Sequence, residues 1–226
     1  QARPGPARAR GRTSRRLVMT NRILEYWVGA QRSGKTYQLR SLAARRARRA
    51  SIRSVIVVAP PGEWRDMAPI MSPRDLAECY PLPQIACVDV GTADATGELE
   101  GVLATARWWG DCYLVIDEAW RTIPAGPTLA LESRQPLMLD SIVRGRHLER
   151  ADGELRPLHL SAAAQAPHTA SHVLRDQAYV IMAGRLHGSS AHGWIRSVAG
   201  DEGVRRVQRL GDLEWTSLRG RDPRRG

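Results

Sequence analysis

Residues 29–36 read Gly-Ala-Gln-Arg-Ser-Gly-Lys-Thr, and Lys35 within that string is the single lysine among 34 basic residues. A chain that writes arginine nearly everywhere keeps a compact ammonium at one place. The spacing G-x-x-x-x-G-K-[ST] is that of a phosphate-binding loop. Gly29, Ala30, Gln31, Arg32, Ser33 and Gly34 offer backbone N–H groups to phosphate oxygens, Lys35 reaches the β and γ oxygens, and Thr36 presents a hydroxyl to Mg2+. A planar, bulky guanidinium fits such a pocket badly. The loop also dictates its surroundings, because it works only between a strand and a helix: residues 23–28 read as that strand and 36–49 as that helix.

The second constraint is a run of apolar residues that ends in two acids, Cys112-Tyr113-Leu114-Val115-Ile116-Asp117-Glu118. Continuous apolarity marks a strand buried on both faces, and ligands of open α/β sheets gather at the carboxyl ends of such strands. Asp117 is therefore expected to hold Mg2+ together with Thr36, and Glu118 to orient and deprotonate an attacking water. Strands are also expected at 54–59, 84–90, 157–162 and 178–183, and helices at 72–80, 93–108 and 134–147. The alternation of strand and helix predicts an α/β fold, a P-loop NTPase with a mostly parallel central sheet flanked by helices on both faces. Residues 121–133 read as a long loop, and 193–199 with 204–215 as an edge hairpin around Asp201-Glu202-Gly203. Gln165, just past the strand at 157–162, is placed to contact a γ-phosphate and the water.

Charge refines this picture by its placement. Of the net +11, residues 1–18 carry +6 and 219–226 carry +3, which leaves +2 for the body. The expected organisation is a basic tail at 1–18, an ATPase domain at 19–215 and a basic tail at 216–226. Met19 stands just before the first strand, so 1–18 reads either as a functional arm or as an upstream extension. No apolar run approaches the roughly 20 residues that span a bilayer. Cys79, Cys87 and Cys112 lack metal-ligand spacing and read as reduced thiols, and His168 and His172 as helix-surface residues.

On the strings 29–36, 114–118, Arg144-Gly-Arg-His147, 161–165 and Ser171-His-Val-Leu-Arg175, the chain resembles the FtsK–HerA superfamily of ring-forming DNA-pumping ATPases. Within it, the likeness is greatest to genome-packaging ATPases of tailless viruses with an internal membrane, and extends to the Zot-type ATPase domain. The resemblance implies ATP and Mg2+ as cofactors, Lys35 and Thr36 on phosphates and metal, Asp117 on the metal, Glu118 as base and Gln165 as sensor. It also implies an arginine supplied to the neighbouring subunit's nucleotide, with Arg146 first, Arg144 second, and Arg150, Arg175 and Arg185 as further choices. The partners implied are double-stranded DNA, further copies in a homo-oligomeric ring of six, and portal or capsid-vertex proteins. The site of action implied is the host cytoplasm or the virion's packaging vertex. Zot-type proteins would continue into a membrane span, terminase-type motors into a nuclease, and cellular translocases into DNA-orienting domains; this sequence shows none of them. The expected function is an ATP-driven translocase that packages a double-stranded DNA genome into a preformed capsid. The alternatives are a Zot-like phage assembly or secretion ATPase, and a virion assembly factor that binds ATP without moving DNA. A small-molecule kinase fits poorly, because Glu118 suits water rather than a substrate hydroxyl.

Overall fold

The apolar runs form one sheet. The structure is a computed structural model that describes residues 23–91, 94–126, 132–144 and 158–219. Its strands are β1 (Leu24–Val28), β2 (Ser54–Val58), β3 (Ile70–Met71), β4 (Ile85–Val88), β5 (Cys112–Ile116), β6 (His159–Ala164), β7 (Val180–Gly184) and β8 (Trp215–Arg219). They lie in the order β3-β4-β2-β5-β6-β1-β7-β8, parallel except for the last, which runs antiparallel to β7. β1, β2 and β5 are buried along their whole length; the unbroken apolarity of β5 predicts this, whereas β1 carries Glu25 and β2 opens on Ser54.

Helices cover both faces: α1 (Lys35–Ala47), α2 (Pro73–Glu78), α3 (Ala95–Trp109), α4 (Ala119–Thr122), α5 (Pro136–Arg144), α6 (His172–Gln177) and α7 (Ser189–Gln208). Residue parity along each strand decides the face. On β5, Leu114 and Ile116 enter the core beneath α3 to α7, whereas Tyr113 and Val115 face α1. The start of α2 carries the expected chemistry: Ser72 Oγ accepts from Asp75 N, Asp75 answers Ser72 N, and Pro73 fills the first turn.

Three local expectations are corrected. Residues 193–199 and 204–208 are helical rather than a hairpin. Ala191, Ile195, Val204 and Val207 fall on one buried side of α7 at spacings of four and three, while Arg196, Asp201, Glu202 and Arg205 face solvent. The short apolar runs mimicked strands because Gly200, at φ +69°, interrupts the helix between them. The edge position goes instead to β8, so residues 216–219 belong to the sheet rather than to a basic tail. The expected loop at 121–133 begins inside α4, which buries Ala119 and Thr122. The arginine-rich ends at 1–18 and 220–226 lie outside the described residues.

Candidate nucleotide site

The strand order brings the ends of β5, β6 and β1 side by side, and the three motifs converge there. The loop at 29–36 leaves β1, crosses the sheet's upper edge and enters α1. Gly29 N donates to Ala164 O at 3.3 Å and Ala30 N to Arg185 O at 3.0 Å, so both neighbouring strand ends hold it. Gly34 caps α1 at φ +79°, a left-handed conformation that only glycine adopts at little cost. At Gly29 a Cβ would stand 2.6 Å from Ser33 Oγ and 2.9 Å from the Trp215 ring, so bulk is excluded there too.

Lys35 is buried, and its Nζ donates to Gly29 O at 2.8 Å and Ala30 O at 3.0 Å, which curls the loop around the ammonium. Burial holds its pKa below the ordinary lysine value, against the opposing pull of Asp117, Glu118 and Glu63. Ser33 Oγ is buried inside the same loop without a hydrogen-bond partner among the described residues.

Thr36 Oγ1 donates to Asp117 Oδ2 at 2.8 Å across 81 residues of sequence. Asp117 is 4% exposed, and burial raises its carboxyl above the usual range while the Thr36 bond pulls the other way. A buried carboxylate beside a hydroxyl, both hard oxygen donors, suits Mg2+, whose charge would offset the desolvation seen here. Trp64, fully buried, sets its indole beside Asp117. Arg40 of α1 steadies that segment by donating to Glu63 O at 2.9 Å and pairing with Asp66.

Glu118 follows at φ +57°, ψ +53°, a left-handed turn that is uncommon for a side-chain-bearing residue and that sharply separates β5 from α4. Gln165 Nε2 lies 3.5 Å from Glu118 Oε1, so the ends of β5 and β6 place amide and carboxylate together. Tyr26 Oη reaches Ala166 O and Pro167 O, both at 3.4 Å, and Arg175 Nη1 donates to Pro167 O at 3.3 Å, which fixes the segment after Gln165.

The arginines divide. Arg175 lies within that support, and Arg185 sits at the end of β7, its Nη1 3.2 Å from Asp212. Arg144 ends α5, and Arg146 and Arg150 fall outside the described residues. Among the described residues no three His, Cys, Asp or Glu side chains cluster as a metal site, and no helix is long and apolar enough to cross a membrane.

Two residues at the loop had no signal in the sequence. Trp215 of β8 donates from Nε1 to Ser33 O at 3.0 Å and packs on Gly29 and Gly184, and Leu213 reaches Gly34. Their distance in sequence from the loop conceals the contact, which exists only because β8 pairs with β7 beside β1.

No protein-family model matches the chain, and no curated protein matches it. Solved structures do. The genome-packaging NTPase B204 from Sulfolobus turreted icosahedral virus 2, in complex with AMP, superposes with a TM-score of 0.68 at 19% identity, covering 89% of this chain and 94% of that one. The same protein with ATP-gammaS gives 0.68 at 19% identity, covering 88% and 92%. B204 from Sulfolobus turreted icosahedral virus, described as a DNA-packaging ATPase, gives 0.62 at 17% identity, covering 87% and 96%. The chain thus has the α/β P-loop NTPase fold, and the likeness to genome-packaging ATPases drawn from its motifs holds at the level of the fold.

Proposed function

We propose that this protein is an ATP hydrolase that drives double-stranded DNA into a viral capsid. One observation carries the reading: Lys35, Thr36, Asp117, Glu118 and Gln165, from three separate stretches of sequence, meet at the carboxyl ends of adjacent parallel strands. The B204 structures, whose fold this chain shares over most of its length, come from proteins described as packaging enzymes, and this supports the polymer-moving reading over other uses of the same site.

Each residue has a task set by its position. The backbone N–H groups of 29–34 and the Lys35 ammonium bind the phosphates. Thr36 and Asp117 would hold Mg2+, which when bound offsets charge on the β and γ oxygens. Glu118 takes a proton from the attacking water, and Gln165, beside it, orients that water and senses the γ-phosphate. An arginine of a neighbouring copy, Arg146 or Arg144, completes the charge at the γ-phosphoryl and makes turnover depend on a ring, six subunits in our reading. The ring would act in the host cytoplasm or at the packaging vertex, against portal or capsid-vertex proteins.

The test is the steady-state ATPase rate with and without long duplex DNA. Lys35→Ala should abolish the rate, and Glu118→Gln should lower it by about 10²–10⁴-fold. Duplex should raise the wild-type rate severalfold. Lysine-dependent hydrolysis indifferent to DNA would overturn the translocase in favour of an assembly factor. Mixing Arg146→Ala with Lys35→Ala protein should restore part of the activity; failure to complement removes Arg146 from that role.

A further inference from the structure

Nothing so far accounts for two large apolar side chains that stand exposed at the phosphate loop. Tyr37 is 70% exposed and Leu213 58% exposed, among few such residues in the described chain. Each is tied to Gly34, Leu213 by contact and Tyr37 by its place in the first turn of α1. A Cβ on Gly34 would lie 2.7 Å from Leu213 Cδ2, so Leu213 rests directly on the loop's last glycine. Tyr37 stands in the first turn of α1, three residues after its cap Gly34.

Leu213 is held there against its backbone preference. Its φ is +66°, an unusual value for a branched apolar residue. The turn is closed by Gly211 N donating to Glu214 Oε2 at 2.7 Å, and it is pinned to the loop by Trp215 Nε1 on Ser33 O. Trp215 in turn leans on Trp27, ring centroids 5.4 Å apart. By contrast the Tyr80 ring, also exposed, stacks on Trp109, whereas among the described residues no ring or cation stacks on Tyr37.

We infer that Tyr37 and Leu213 form the seat of the nucleoside triphosphate's base, the heterocycle stacking on the Tyr37 ring with Leu213 against its edge. This rests on reading 29–36 as the phosphate loop. With the phosphates at the N-terminus of α1, the rest of the nucleotide leaves the loop across its open rim, and the apolar part of that rim is this ledge. A ledge of ring and methyl groups supplies stacking without a donor–acceptor pattern, and every base has a π-face. Affinity therefore comes from the base while discrimination between bases stays weak.

Isothermal titration with ATP, GTP and inorganic tripolyphosphate separates the base from the phosphates. Tyr37→Ala should weaken ATP about tenfold and leave tripolyphosphate unchanged, and Tyr37→Phe should retain ATP affinity. Leu213→Gly, which suits the positive φ and so relaxes the backbone while removing the side chain, should weaken ATP by about threefold with tripolyphosphate again unchanged. ATP and GTP should bind the wild type within a fewfold of each other. Equal binding of ATP and tripolyphosphate by the wild type would remove the ledge alone. Failure of the wild type to bind either would remove the phosphate loop and the ledge with it. Unaltered ATP binding in Tyr37→Ala, with weakened self-association, would assign the ledge to contacts between copies and overturn the proposal.

Discussion

The two faces of the sheet are built differently. Beneath α3 to α7 the core is nearly all aliphatic, with Leu99, Leu103, Leu114, Ile116, Ile123 and Ile195 fully buried. Beneath α1 lies a smaller cluster that also holds charge. Glu25 Oε1 accepts from Arg46 Nη2 at 3.0 Å; Glu25 Oε2 accepts from Ser161 Oγ at 2.8 Å and Trp27 Nε1 at 3.2 Å. Tyr113 Oη meets Ser161 Oγ at 2.7 Å, and the Arg46 guanidinium sits 5.0 Å over the Tyr113 ring.

The lesson lies in what each face must do. The wide face has to be stable, and apolar area provides that without specifying one seating closely. The narrow face has to seat α1, which carries Lys35 and Thr36, against β1, β5 and β6, whose ends carry the rest of the site. Leu39, Leu42 and Ala43 alone tolerate small slides, whereas directional bonds from Arg46 to Glu25, and from Glu25 to Ser161, do not. A buried pair is weak as a source of net stability and better suited to fixing register.

Breaking the pair should have the largest effect. Arg46→Ala leaves the Glu25 carboxylate buried without its cation, and urea unfolding should show a loss of about 4 kcal/mol. Replacing both, Glu25→Leu with Arg46→Leu, should recover most of that stability yet weaken ATP binding; recovery of both would mean that the network has no seating role. On the wide face, Leu103→Ala should cost about 3 kcal/mol through the cavity it leaves, with ATP affinity unchanged in the folded fraction. Tyr113→Phe, which removes one hydroxyl from the network, should cost about 1 kcal/mol.

The smallest effect is chemical. Burial pushes the Cys87 thiol up to about 12, and it moves Tyr26 and Tyr113 upward as well. Above about pH 9 the unfolded chain releases protons that the native state keeps, so stability should fall as pH rises through that range. Native protein at pH 8 should yield Cys79 to a thiol reagent, leave Cys87 and Cys112 buried and unreacted, and give up all three only in denaturant.

Much of the candidate site was legible in the sequence because its residues are local strings tied to backbone geometry. The loop at 29–36 needs a strand before it and a helix after it, and both are there. The run 112–116 announces a buried strand with Asp117 and Glu118 at its end. Gln165 was reachable because the strand before it is apolar, although that strand begins at His159 rather than at 157. Residues 193–208 read as strands because Gly200 divides one helical pattern into two strand-sized pieces.

By itself the sequence determined the sheet's class, the loop and the two acids, because each follows from periodicity or spacing within a few residues. Tertiary structure alone decided which strands are neighbours. That choice puts Thr36 2.8 Å from Asp117, joins Glu25 to Arg46 and Ser161, and lays Trp215 and Leu213 on the loop at 29–36. Such contacts link residues as many as 182 positions apart. They are set by the packing of the whole sheet, which leaves no trace in a local window of sequence.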